Sequence, residues 1–358
     1  MVIFFAVIHY NKEVSKLTIT TLKNHQGLFK KVVDLIQTSF NYSANNDVTV
    51  DFAPLFETED FHQNHLLINE DKYTVHGHIG YRNKKLLIDG YSVPISIVGG
   101  IAISKECRGQ GNFNPIFSKV IEECEKDSTF ILLWSDKSNL YQKFHFTEVG
   151  VTAQTGDKDL NKANLKDWEK HLLKDLSTVE IEQLKELYEL QKKNCSVIER
   201  DDLAWEKLKD ITSANFYIHR DNKNNIDMYF VINKGQDLSS VIHEFGYRDS
   251  CKKLFFEQLK DYKLWVPESI SPDAPSQYLY TAMIRIGNWD KFKEFVFNWS
   301  NGDISIIDGD LDNVTFDFNG DEFELATETL LQYIWGPEKI KEFSAYFKPL
   351  YISGLDSL

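Results

Sequence analysis

The feature that most constrains this chain is a strand–loop–helix pattern that begins at residue 95. The apolar run Ile95–Ile103 is rich in β-branched residues and predicts a buried strand. After a turn comes the loop Arg108–Phe113, and then residues 114–121, whose apolar spacing predicts a helix. We expect Asn114 to cap this helix and Pro115 to occupy its first turn. The sequence therefore predicts a glycine-containing loop between a strand and a helix.

A loop of this kind can bind a phosphate group. The first turn of a helix leaves N–H groups unpaired and carries the positive end of the helix dipole. Gly109 and Gly111 allow the backbone to approach an anion, and Arg108 adds a permanent positive charge. A short Arg-Gly-x-Gly sequence is weak evidence when it stands alone, and a simple turn is the alternative interpretation.

The segments that follow the loop make its interpretation more specific. Residues 130–134 predict the next strand, and residues 135–146 predict a short helix that leads into another strand. The order and spacing of residues 17–150 resemble the GNAT superfamily of acetyl-CoA-dependent N-acyltransferases. The family signature is an apolar strand, an Arg/Gln-Gly-x-Gly-x-Gly/Ala loop at a helix N-terminus, a further strand, and Tyr-x-Lys-x-Gly-Phe.

Two residues depart from the GNAT signature. Phe113 stands where a small residue is usual, which could narrow the pyrophosphate turn. His145 replaces the usual glycine before Phe146, so the last turn must be closed differently. Tyr141 and Lys143 match the signature.

The resemblance implies an α/β (α+β) fold with mixed, mostly antiparallel sheets, arranged as tandem GNAT folds. Residues 1–160 are assigned to an N-terminal GNAT domain that carries the acetyl-CoA loop. Residues 161–275 repeat its strand and helix order without an Arg-Gly-x-Gly loop, which predicts a degenerate second GNAT-like domain. Residues 276–358 are similar to the small sterol-carrier-like α/β domain that ends the tandem-GNAT enhanced-intracellular-survival acetyltransferases.

The resemblance also implies the residues that bind acetyl-CoA. Backbone N–H groups of the strand would hold the pantetheine arm, and those of the loop would hold the pyrophosphate, with Arg108 nearby. The residues concerned are Ile101, Ala102 and Ile103 in the strand and Arg108, Gly109, Gln110, Gly111, Asn112 and Phe113 in the loop.

Tyr141 occupies the position of the family tyrosine whose hydroxyl can protonate the leaving sulfur; the alternative is an aromatic ring that packs under the cofactor. The general base is left open between His78, a chain of water molecules and the C-terminal carboxylate of Leu358. The survival-type acetyltransferases use their chain terminus in this way. For His78, a core or surface histidine is the other interpretation.

Composition limits the partners. The net charge is −14, which argues against nucleic acid and suits a cationic small molecule or a basic peptide. Four scattered cysteines indicate a reducing compartment and a cytoplasmic protein, and no metal site is expected. The apolar start, residues 1–8, is too short to span a bilayer and predicts an edge strand, so no membrane partner is expected.

These observations predict an acetyl-CoA-dependent N-acetyltransferase. The acyl group would move directly to a primary amine, either on a small cation or on the lysine side chain of a peptide. The alternative is a non-catalytic protein that keeps the fold for acyl-CoA binding or for interaction. The aminoacyl-tRNA-dependent peptidoglycan transferases also double this fold, but they would need a basic surface for tRNA. The acceptor, the acyl chain length and the formation of a homo-oligomer are left open.

Overall fold

The computed structural model describes residues 17–162, 165–191, 193–271, 275–338 and 348–358. The predicted edge strand at residues 1–8 lies outside this part of the chain, as does nearly all of a helix predicted at residues 338–346. The helices are α1 (Phe29–Ser39), α2 (Val48–Asp51), α3 (Phe113–Glu125), α4 (Ser138–Gln142), α5 (Thr178–Gln191), α6 (Asp202–Leu208), α7 (Lys252–Leu259), α8 (Trp289–Trp299) and α9 (Thr327–Trp335).

Within the described residues, four sheets contain all of the strands. They are β1 (Leu17–Thr21), β2 (Asn64–Asn69), β3 (Thr74–Ile88), β4 (Tyr91–Ile103), β5 (Phe130–Leu133), β6 (Thr147–Val149), β7 (Thr152–Gln154), β8 (Glu169–His171), β9 (Val197–Ile198), β10 (Asn215–Arg220), β11 (Ile226–Ile232), β12 (Ile242–Tyr247), β13 (Trp265–Pro267), β14 (Gln277–Leu279), β15 (Ala282–Ile286), β16 (Ile304–Gly309), β17 (Asn313–Phe318) and β18 (Asp321–Ala326).

The largest sheet has the order β1-β2-β3-β4-β5-β15-β6, with β9 paired to β3. Its strands run antiparallel except β4 and β5, which are parallel. Helix α3 is the crossover between these two parallel strands, and its apolar face is buried against the sheet because Ile116, Val120 and Ile121 recur at helical spacing. The mixed, mostly antiparallel α/β fold expected from the sequence is thus confirmed.

Strand β15 comes from a distant part of the chain. Residues 276–358 were assigned to a separate C-terminal domain, yet β15 lies between β5 and β6 and is hydrogen-bonded to both. Its five residues are all buried, as expected for a strand in the middle of a sheet. The domain boundaries at residues 160 and 275 stay predictions, but the largest sheet draws strands from both sides of them.

The second unit is built on the sheet β12-β11-β10-β8 and packs α5 and α7 into one core. Strands β10 and β11 form the hairpin that the sequence predicts around the turn at residues 221–225. The apolar pattern of residues 238–245 predicts a strand, but β12 begins at Ile242, because residues 235–240 form turns. Residues 262–266 also have the pattern of a strand. Only Trp265 onward forms one, β13, which pairs with β7 and so links this unit to the N-terminal part of the chain.

The C-terminal unit contains the antiparallel sheet β16-β17-β18 with helices α8 and α9, close to the bounds that the sequence predicts. Its core is continuous with the core under β4, β5 and β15. Its likeness to a sterol carrier stays a prediction. Within the described residues, no helix combines the length and the apolar character needed to cross a bilayer.

Candidate active site

The site is organised by the divergence of two parallel strands. Strand β4 pairs with β5 only from Ile95 to Ile97, opposite Phe130 to Leu132. From Val98 onward, β4 has no strand on this side among the described residues, although β3 follows it on the other side as far as Ile103. The N–H and C=O groups of this edge that no side chain engages are therefore available to a ligand. Ile101, Ala102 and Ile103, the predicted pantetheine-binding residues, all lie on this stretch of β4.

A β-bulge marks the place where β4 leaves β5. Gly99 is opposite Gly80, and Ala102 is opposite His78, so β4 contains one more residue than β3 over this interval. Gly100 adopts φ 58°, a left-handed conformation that favours glycine. The bulge redirects the backbone of β4 at the open edge.

The His78 side chain contacts this bulge. Its side chain is fully buried, with Nδ1 2.7 Å from the Gly100 carbonyl oxygen and Nε2 2.9 Å from Asn64 Oδ1, so both nitrogens face oxygen acceptors. Burial lowers the pKa of His78 to about 4, so the ring is neutral at physiological pH and its N–H can donate to the Gly100 carbonyl. The buried ring contacts Gly100 of β4 and Asn64 of β2, and a neutral ring has one N–H for these two acceptors, so His78 is placed to hold the bulge in shape.

The predicted phosphate loop follows β4 directly. Gly109 and Gly111 have φ values of 71° and 76°, and a Cβ on either residue would meet no atom within 4 Å. Arg108 donates from Nε to the Ile103 carbonyl oxygen at 2.8 Å, so its guanidinium is held at the end of β4. Gln110 is held by its side chain, which donates to the Glu106 carbonyl oxygen at 2.6 Å. The loop is therefore shaped by its own bonds and leaves open space above its glycines.

Helix α3 begins one residue earlier than the sequence predicted. Asn112, not Asn114, is the N-cap residue, and its side chain donates to the Cys107 carbonyl oxygen at 3.1 Å. No side chain caps the first turn of α3, so its N–H groups remain unpaired by side chains. Such a turn attracts an anion. Phe113 does not narrow it, because its ring stacks on Phe117 at 4.9 Å between centroids.

Tyr141 lies in the same aromatic cluster. Its ring meets the edge or face of Phe113, Phe117 and Phe146, and only 4% of the residue is exposed. Burial raises the pKa of Tyr141 to about 12, and this effect is larger than the lowering of the pKa by the hydrogen bond with Ser135. The phenol therefore keeps its proton at neutral pH.

His145 takes the backbone conformation that the family assigns to glycine. Its φ is 61°, and its N–H donates to the Gln142 carbonyl oxygen at 2.9 Å to close the turn after α4. Histidine tolerates this region better than most residues, and the conformation costs about 1–2 kcal/mol. The substitution at this position preserves the turn.

Leu358 approaches β4 from the other face of the sheet. A Cβ on Gly99 would lie 2.3 Å from the Leu358 carbonyl oxygen and 2.5 Å from its carbonyl carbon. The neighbouring Val98 packs in the cluster that contains Tyr141. Because successive residues of a strand point to opposite faces, Val98 and Gly99 present opposite faces of β4, and Leu358 lies on the Gly99 face.

A buried charge cluster that sequence patterns did not indicate holds the segment that ends at Leu358. Arg200 donates to both carboxylate oxygens of Glu244, at 3.0 and 2.6 Å, and of Asp356, at 3.2 and 2.7 Å. The guanidinium also lies 4.2 Å from the Tyr188 ring centroid. No local signal identifies this cluster, since its three charged residues are separated by 44 to 156 positions in the chain.

Residues 23–149 match the family model of the acetyltransferase (GNAT) domain. A search of curated protein sequences finds no match to the chain. Among solved structures, the chain is similar to a GCN5-related N-acetyltransferase from Anabaena variabilis, with 15% identity, TM-score 0.59, and coverage of 87% of this chain and 85% of the other. It is similar to Eis1 from Mycobacterium abscessus, with 11% identity, TM-score 0.55, and coverage of 87% and 85%.

A third similar structure is the N-myristoyltransferase of Saccharomyces cerevisiae with bound myristoyl-CoA. It has 10% identity and TM-score 0.52, and the match covers 76% of this chain and 83% of the other. At these identities the likeness concerns the fold. The fold is one that GNAT enzymes and an N-myristoyltransferase share.

Proposed function

We propose that this chain, which contains an acetyltransferase (GNAT) domain, transfers an acetyl group from acetyl-CoA to a primary amine. The observation that carries the proposal is the uncapped first turn of α3, which lies beside Gly109 and Gly111 at the end of the open edge of β4. The two phosphates of a coenzyme can bind at the first turn of α3, and its amide-rich arm can pair with the open edge of β4. The family match supports acyl transfer in general, and the acetyl group and the amine are the finer parts of the proposal.

In the proposed reaction, the lone pair of a neutral amine attacks the thioester carbonyl carbon and forms a C–N bond. The C–S bond then breaks, and the sulfur leaves as a thiolate that takes a proton from the Tyr141 hydroxyl; the phenolate is reprotonated from solvent. The proton lost by the amine passes to a base. Tyr141 can act as the acid because its hydroxyl is protonated at neutral pH, where burial holds its pKa at about 12.

Two groups of this chain, His78 and the Leu358 carboxylate, are candidates for the base that accepts the proton of the amine. His78 is unsuited, because burial lowers its pKa to about 4 and its ring is enclosed against the Gly100 carbonyl oxygen and Asn64 Oδ1. Where Leu358 is the last residue, it carries a free carboxylate, and its main chain lies against Gly99 at the bulge. We therefore assign the proton of the amine to this carboxylate.

The acceptor is proposed to be a small cationic amine or the lysine of a peptide, because the chain has a net charge of −14. Such a charge attracts a protonated amine, which must lose its proton before it attacks. It also disfavours tRNA as a substrate.

The first experiment is calorimetric titration of the protein with acetyl-CoA. Arg108→Glu should abolish micromolar binding, because it places a negative charge beside the loop. The matched control is Arg248→Glu, which changes an arginine that also follows a strand and precedes a helix, but in the second unit. Binding lost in both variants, or in neither, would contradict the assigned site.

Turnover is tested by thiol release with a panel of primary amines and with acetyl-, butyryl- and myristoyl-CoA. Release with acetyl-CoA and an amine supports the proposal, and a preference for a long acyl chain would correct the donor. Binding without release from any pair would favour the non-catalytic alternative.

The role of Leu358 is tested by extending the chain. Two residues added after Leu358 remove the free carboxylate from its position and should reduce kcat without weakening acetyl-CoA binding. The same two residues inserted after Gly320, in the β17–β18 turn, serve as the control, because a Cβ there would meet no atom within 4 Å. An extended protein with unchanged kcat would exclude the carboxylate as the base.

A further inference from the structure

Residues 348–358, called the tail below, run along the second unit before they reach β4. The Ser196 N–H donates to the Pro349 carbonyl oxygen, and the Tyr351 N–H donates to the Ser196 carbonyl oxygen, both at 2.9 Å. Further along, the Ser353 hydroxyl donates to Glu244. The tail is thus tied to the second unit over most of its length.

Lys234 is bonded to the last part of the tail. It follows β11 and is only 1% exposed. Its ammonium donates to the Gly354 carbonyl oxygen at 2.8 Å, to the Ser357 carbonyl oxygen at 2.5 Å and to the Ser357 hydroxyl at 3.0 Å. An ammonium has three N–H donors, so all of them are engaged by the tail. The Phe52 ring lies 5.0 Å away and covers the remaining side.

These bonds end one residue before the contact with the acyl-transfer site. Lys234 fixes the Ser357 carbonyl group, and the next residue, Leu358, has its main chain against Gly99 at the bulge of β4. The lysine therefore limits where the end of the tail can lie relative to β4.

We propose that Lys234 is a positioning residue, which holds the tail so that Leu358 lies at the bulge of β4. The second unit, which has no Arg-Gly-x-Gly loop of its own, then serves as the support from which the tail reaches the site. This inference rests on the proposed function, since it assigns the lysine a part in acyl transfer.

The charges around Lys234 suggest a way to recognise its role. Burial lowers the pKa of Lys234 to about 7, although the carboxylates of Asp356 and Asp51 raise it; Arg200 and Lys84 lower it further. His243, which also faces this region, is kept neutral by burial, with its pKa lowered to about 4. As the pH rises through 7, the ammonium becomes an amine with two N–H donors instead of three. The hold on the tail should therefore weaken with rising pH.

The test uses the full chain with Lys234→Met, which keeps the apolar stem and removes all three donors. We expect hydrogen exchange of the amides in residues 354–358 to accelerate, and kcat to fall roughly tenfold or more because the end of the tail is misplaced. Acetyl-CoA affinity should stay within about twofold, since the loop at α3 is untouched. The control is Lys185→Met, which changes a lysine of the second unit whose partners are Glu182 and Asp202.

The pH profile separates positioning from a general loss of stability. The ratio of kcat for the parent protein to kcat for Lys234→Met should decline as the pH rises from 6 to 9, because the parent itself loses the ammonium. Should Lys234→Met fold poorly, Ser357→Ala removes one acceptor from the tail and should give smaller changes in the same direction.

Each outcome decides between the two proposals. Unchanged exchange in the tail of Lys234→Met, or a loss of kcat matched by an equal loss of acetyl-CoA affinity, would overturn the role of Lys234. If no amine supports turnover by the parent protein, the proposed function fails, while faster exchange confined to residues 354–358 would still establish that Lys234 holds the tail.

Discussion

The Leu358 main chain lies so close to Gly99 that no side chain fits between them. A Cβ on Gly99 would be 2.3 Å from the Leu358 carbonyl oxygen, well inside van der Waals contact. Glycine at this position is therefore a condition for the tail to reach β4. This contact brings the end of the chain to the open edge where the thioester is proposed to lie.

Gly99→Ala should displace the end of the tail. We expect kcat to fall by about 10- to 100-fold, because a shift of about 1 Å at a reacting centre has effects of this size. Gly27→Ala is the control, since its Cβ would be at an ordinary contact distance of 3.5 Å from the Tyr73 hydroxyl. The measurement is steady-state thiol release, and an alanine variant with the parental kcat would show that the contact has no catalytic role.

Tyr141→Phe should reduce kcat by about 10²-fold and leave acetyl-CoA binding unchanged, because it removes a proton donor and keeps the packed ring. Tyr247→Phe is a matched control in the second unit. Tyr247 is also buried, and burial raises its pKa to about 12. Equal losses in the two variants would indicate a packing effect and would argue against Tyr141 as the acid.

The protein should lose stability in mild acid. Burial lowers the pKa values of His65, His78 and His243 to about 4, whereas an unfolded histidine has a pKa near 6.5. Between these values the unfolded chain binds more protons than the folded one, so the free energy of unfolding falls as the pH drops from about 6.5 to 4. Urea unfolding at pH 7.0, 5.5 and 4.5 measures the slope.

The histidine contribution can be separated from other groups with His78→Asn. This variant should have a shallower slope between pH 6.5 and 4 than the parent protein. An identical slope would mean that His78 is protonated in the folded state, which would also remove the argument against it as a titrating group.

Arg200→Met should destabilise the protein by about 3–5 kcal/mol, because it leaves two buried carboxylates, Glu244 and Asp356, without their cation. Arg248→Met is the control. The Arg248 side chain is 44% exposed and lies 3.5 Å from Glu186, so its loss should cost at most about 1 kcal/mol. Urea unfolding at pH 7 gives both values, and a cost for Arg200→Met no larger than the control would contradict the structural role of the cluster.

Local patterns indicate the elements around the proposed site more directly than the long-range contacts that support them. The run Ile95–Ile103, the two glycines and Tyr141 are informative because strand, turn and helix preferences act over a few residues. The sequence predicted Asn114 as the helix cap, two residues after Asn112, which occupies the N-cap position. The Asn112 side chain donates to the Cys107 carbonyl oxygen and does not cap the turn. A hydrogen bond of this kind depends on the loop conformation, which residue types alone do not fix.

The contacts that complete the site join residues far apart in the chain. Lys234 and Ser357 are separated by 123 positions, and no sequence period connects them. The pairing of β15 with β5 could not be predicted for the same reason. Ile284 lies in an apolar run that is typical of a strand, and only the fold places it beside Leu132. For His78, a core or surface histidine was the other interpretation, and its contact with the Gly100 carbonyl oxygen could not be foreseen from the sequence.

The position of β15 has a consequence for how the molecule is made. The ribosome releases β5 about 150 residues and β6 about 130 residues before the strand that must lie between them, so the central sheet stays incomplete until β15 is made. Two unpaired strand edges are exposed during that time, and pairing across such a sequence distance is slow. The segment with the family signature therefore lacks one strand of its sheet until β15 has been translated. The cleft between β4 and β5 gains the strand that supports β5 only after residue 286 has left the ribosome, so the proposed site is completed late.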